Sequence, residues 1–60
     1  MSKIKSYLVL WNGYTGIILE LSNQDANKVF SALDSMALNL NCAVEYTKEN
    51  AENRLDSWSE

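Results

Sequence analysis

Histidine and proline are absent from this 60-residue chain, cysteine occurs once and glycine twice. Each shortage removes a class of chemistry. Without histidine there is no serine–histidine–acid triad, and one thiol alone cannot complete a tetrahedral zinc set. Cys42 has no partner within the chain, so a disulfide framework is excluded, and a lone thiol suits a reducing compartment. The two glycines, Gly13 and Gly16, lie three positions apart, which leaves no glycine-rich phosphate loop. No apolar run approaches the ~20 residues of a membrane helix. The run from Tyr7 to Trp11 is too short for a signal-peptide core, so the expected location is the cytoplasm. Cations are also scarce, five against eight acids for a net charge of −3. Lys3, Lys5, Lys28, Lys48 and Arg54 are spread over three segments, which argues against phosphate neutralisation and direct nucleic-acid binding.

What remains describes a folded domain. Hydrophobic residues make up 47% of the chain and charged ones 22%, a composition that is neither disordered nor membrane-like. The length allows one domain, residues 1–60, with marginal stability. Asn12-Gly13, set between two apolar runs, predicts a two-residue type I′ hairpin over residues 3–21, because both turn positions take positive φ. In that register Trp11 faces Tyr14 and Lys5 faces Glu20, and a bulge at Gly16 is the alternative that would shift it.

Ser22 to Asp25 reads as a capped helix start. Ala26, Val29, Phe30, Leu33, Met36, Ala37 and Leu40 then recur at helical spacing within a stripe roughly 120° wide. This pattern predicts a helix over 23–40. Alternation from Cys42 to Tyr46 predicts a third strand. Thr47 can cap a second helix over 48–58, with Ala51, Leu55 and Trp58 on one face. The expected fold is α+β: a ββαβα domain with a three-stranded antiparallel sheet in order 2-1-3.

The hairpin is apolar on both sides. One face carries Ile4, Leu8, Leu10, Ile17, Leu19 and Leu21, enough for the long helix to cover. The other carries Tyr7, Val9, Trp11, Tyr14 and Ile18, rimmed by Lys3, Lys5 and Glu20. A sheet packed on one side alternates apolar with polar, so the second face is either covered or used. The terminal helix can fold back over it; alternatively Tyr7, Val9, Trp11, Tyr14 and Ile18 anchor a partner or a homodimer. The same aromatics stacking single-stranded bases is a third reading.

Charge is placed unevenly as well. Residues 1–44 are neutral, and the whole net charge of −3 resides in 45–60. Glu49, Glu52, Asp56 and Glu60 share a helix face. That face is either solvated or a stripe that docks on a basic surface. Carboxylates on a short terminal helix lack a cleft to raise a pKa, and Cys42 lacks a basic neighbour. The chain is therefore expected to be no enzyme and to take no cofactor or metal.

In size, acidity and element order the chain resembles the small early proteins that bacteriophages make against their hosts. The Asn12-Gly13 hairpin, the Ala26–Leu40 helix and the Cys42–Tyr46 strand carry that resemblance. It implies a protein that binds and occludes a larger host protein, such as a nucleic-acid enzyme or a toxin. An obligate homodimer with a structural or assembly role is the alternative.

Overall fold

In the computed structural model, which describes residues 4–36 and 39–59, five elements follow one another. They are β1 (Lys5–Trp11), β2 (Gly16–Ser22), α1 (Asn23–Ser35), β3 (Asn41–Glu45) and α2 (Lys48–Ser59). The sheet is antiparallel in the order β2-β1-β3, and the α+β architecture is the expected one. The parts of the sequence reading that fall on Lys3, Ala37 and Glu60 lie outside the described residues.

The hairpin closes with a longer loop than the two-residue turn. Trp11 pairs with Gly16 and Lys5 with Ser22, so residues 12–15 form the connection. Asn12 explains this. Its side-chain oxygen accepts from the backbone N–H groups of Tyr14 and Thr15, both at 2.9 Å, so it organises the loop as an Asx turn does. Gly13 supplies the positive φ, +100°. The register has moved by two residues, which preserves the two faces, because side chains alternate with a period of two. Lys5 now lies diagonal to Glu20, yet their charged ends still meet at 2.7 Å.

Both helices begin as the sequence indicates. The Ser22 hydroxyl accepts from the Asp25 N–H at 3.2 Å, and the Thr47 hydroxyl accepts from the Asn50 N–H at 3.0 Å. The long helix stops sooner than Leu40. Its C-cap is Met36, whose N–H turns to the carbonyls of Ala32 and Asp34. The last turn carries Asp34 and no basic residue, and an acid there opposes the helix dipole. Tyr46 lies just past β3 and is exposed.

Leu8 and Val9 are adjacent in β1, point to opposite faces, and are both fully buried. The sheet is therefore covered on each side. Ser6, Leu8, Leu10, Cys42 and Val44 share the face under α1. Ala26 is fully buried there, and the buried Ser6 hydroxyl accepts from Asn23 Nδ2 at 2.9 Å. Tyr7, Val9, Trp11, Ile18 and Glu45 share the other face, where α2 places the buried Ala51 and the half-buried Leu55 and Trp58.

Gly16 marks where α2 crosses. A Cβ at this position would collide with the Leu55 side chain and come within 3.1 Å of Trp11 Cε3 and the Leu10 carbonyl. Arg54 fastens the same helix to β3 through a 2.8 Å contact with Glu45. Its guanidinium also lies 6.0 Å from the Trp58 ring centroid, at the limit of cation–π attraction.

Candidate functional site

The second sheet face is not an open anchor patch, because α2 lies on it. Val9 is fully buried and belongs to the core, while Tyr7, Trp11 and Ile18 are half-buried. Tyr14 is separated from them. It projects from the hairpin loop with 93% of its surface exposed. Glu49, Glu52 and Asp56 are all exposed on α2, and Glu49 sits in the first turn, where the dipole favours an acid.

The less complete cover lies on the opposite side. α1 starts beneath the lower end of the hairpin, where the Asn23 N–H donates to the Ile4 carbonyl at 2.7 Å. It ends near β3, where the Asp34 carboxylate adds its repulsion to the Cys42 thiolate. The helix thus crosses the sheet obliquely and leaves the upper part of the outer strand β2 open. Ile17 is 46% exposed and Leu19 is 37% exposed. On the helix itself Val29 and Phe30 are also left partly exposed.

This open corner contains an apolar pocket of ≈ 210 Å³ lined by Leu10, Trp11, Asn12, Thr15, Ile17 and Leu40. Leu40 left the helical stripe expected of it and closes the pocket from the α1–β3 connection. Tyr14 sits in the same four-residue loop as two of the lining residues, Asn12 and Thr15. Trp11 and Tyr14 are legible in the sequence, whereas the spacing of Ile17 and Leu40 places them with the residues expected to be covered. An oblique helix crossing leaves no mark in a periodicity, so only the three-dimensional arrangement exposes them.

The ionisable groups here are arranged for structure. The Glu20 carboxylate, bonded to Lys5, holds the ammonium of Lys5 above its ordinary pKa and is itself held lower in return. Both groups are exposed, so the pair adds little to stability. Burial, followed by repulsion from Asp34, pushes the Cys42 thiol up, away from a reactive thiolate. A second recess of ≈ 310 Å³ is lined by Glu45, Asn50, Asn53, Arg54 and Ser57, and its one cation is committed to Glu45. Among the described residues no three His, Cys, Asp or Glu side chains converge as a metal site would require. No described helix is long and apolar enough to cross a membrane.

Comparison with protein-family models, curated proteins and solved structures gave no match to this chain.

Proposed function

We propose that the chain is a non-catalytic protein-binding module that acts by occlusion. In this reading its hairpin end seats against an apolar site on a larger intracellular protein. Tyr14 and Trp11 are the anchors, the pocket beside them receives an apolar side chain, and Glu49, Glu52 and Asp56 select a basic rim. The observation that carries the reading is the placement of Tyr14. A large aromatic side chain almost wholly in solvent, on the loop whose Asn12 and Thr15 wall a pocket with Leu10, Trp11, Ile17 and Leu40, has no role in this chain's own packing. The resemblance to phage early proteins supports an inhibitor aimed at a host nucleic-acid enzyme or toxin. The acidic α2 face suits a target whose surface otherwise holds nucleic acid.

Tagged protein exposed to bacterial lysate, beside Tyr14→Ala, tests the proposal. One stoichiometric partner is expected. With that partner purified, the variant should bind about 30-fold more weakly, equivalent to roughly 2 kcal/mol for an aromatic hot spot. Tyr14 bears no load in the fold, so unchanged circular dichroism should accompany the loss. Absence of any partner, or equal binding by wild type and variant, would overturn the reading.

A further inference from the structure

The outer strand β2 pairs only with β1 among the described residues, and the phase of that pairing determines what its other edge offers. Two backbone bonds continue the β1–β2 register at its ends: Asn12 N–H to the Thr15 carbonyl at 3.3 Å, and Asn23 N–H to the Ile4 carbonyl at 2.7 Å. Bonded and non-bonded pairs alternate along an antiparallel ladder. Ser6–Leu21, Leu8–Leu19 and Leu10–Ile17 are therefore bonded pairs. It follows that Gly16, Ile18 and Glu20 turn both their N–H and C=O groups outward, while Ser22 turns out its N–H only, since its carbonyl, as the N-cap, accepts the first bond of α1. These alternate outward-facing positions, with no proline among them, make a template for another strand. A groove of ≈ 330 Å³ lined by Lys5, Glu20, Leu21 and Ser22 borders this edge.

We propose that the edge pairs with β2 of a second copy, antiparallel about Leu19, to give a continuous six-stranded sheet. The strand's own sequence selects that occupant and that register. With Leu19 opposite Leu19 of the second copy, the outward groups find partners: Ile18 exchanges bonds with Glu20, and the Ser22 N–H reaches the Gly16 carbonyl, each pairing occurring twice. Ile17 then faces Leu21, so the half-exposed apolar side chains beside α1 meet one another at non-bonded positions. Those are the pairs whose Cα atoms approach to about 4.5 Å.

Moving the centre to Glu20 would set Glu20 opposite itself. Moving it to Ile18 would set Leu21 opposite Thr15 of the loop and leave it without an apolar partner. In the Leu19 register each Glu20 faces an Ile18 and keeps its own Lys5, so no uncompensated charge enters the joint. The strand β3 is a poorer edge, with five residues against seven. The pairing goes beyond the partner-binding reading, because Tyr14 lies outside the paired segment and the two claims can fail separately.

Sedimentation across a wide concentration range reads the dimer, and two variants read its geometry. Glu20→Pro removes an outward N–H without touching the β1–β2 ladder, so it should be monomeric with an unchanged circular dichroism spectrum. Leu19→Cys in a Cys42→Ala background should form a disulfide between copies on mild oxidation, since Cα atoms at that separation suit the bond. Ile17→Cys in the same background, facing Leu21 of the second copy, should not. A wild-type chain that stays monomeric at every concentration would overturn the proposal. So would a dimer in which Leu19→Cys fails to cross-link while Ile17→Cys does.

Discussion

Gly16 is where one missing side chain allows a whole helix to dock. Its Cβ position is claimed by Leu55, with Trp11 and the Leu10 carbonyl close on either side. Leu55 is the end of a flexible chain and can yield, whereas the carbonyl cannot, so Gly16→Ala should cost about 1–3 kcal/mol as an overpacking change. Leu55→Ala, at a half-buried site, should cost about 2 kcal/mol. Their double variant should lose at least about 0.5 kcal/mol less than the two costs added, because the second change makes room for the first. Urea unfolding measures all three, and strict additivity would mean that α2 does not rest on Gly16. Cys42 provides a residue-scale pH test. Its thiol is raised by burial, so the folded chain retains the thiol proton to higher pH than the unfolded one. The stability gained from this shift is complete below the unfolded pKa and is lost as pH rises through the folded one. Alkylation of native Cys42 should reach half its maximal rate at higher pH than alkylation of the urea-unfolded chain. Coincident profiles would contradict its placement.

The elements show what a linear pattern can and cannot carry. The N-caps Ser22 and Thr47 were legible because a cap is local: one hydroxyl, one N–H three residues on, and no tertiary help. Strand order 2-1-3 was legible because the hairpin and the returning third strand leave few alternatives. The turn was misread for a physical reason. Asn12-Gly13 satisfies the two-residue rule, but Asn12 can also fold its side chain over the N–H groups of Tyr14 and Thr15, and Gly16 fits best where α2 passes. A two-residue slip keeps every side chain on its face, so neither burial nor alternation distinguishes the registers. Even the Lys5–Glu20 contact survives the slip as a diagonal. The end of α1 was misread because Leu40 continues the apolar stripe in number but serves the hairpin pocket in space. Of the expected anchors, Trp11 lines the open corner and Tyr14 stands in solvent on the loop that borders it. Val9 could not be separated from them by sequence, since its burial depends on the packing of α2, the last element of the chain.

At the scale of the whole molecule, a thin sheet is sandwiched between two helices of unequal reach. α2 closes its face around Ala51, Leu55 and Trp58; α1 crosses obliquely and leaves β2 half-covered. Both proposed interactions come from that asymmetry: a partner at the hairpin corner and a second copy along the β2 edge. Sixty residues bury too little surface for much excess stability, so joining two sheets would supply apolar burial that one chain lacks. The measurement that bears most directly on this account is amide hydrogen exchange resolved residue by residue along β2, at low and high protein concentration. The observed register predicts slow exchange at Ile17, Leu19 and Leu21 at every concentration. Ile18, Glu20 and Ser22 should be fast when dilute and become protected as copies pair. Closure by a two-residue turn, with Trp11 and Tyr14 as a bonded pair, would reverse the phase and protect Ile18 and Glu20 through β1 even in dilute solution. That reversal would contradict the fold's register, and Ile18 and Glu20 remaining fast at high concentration would contradict the edge pairing.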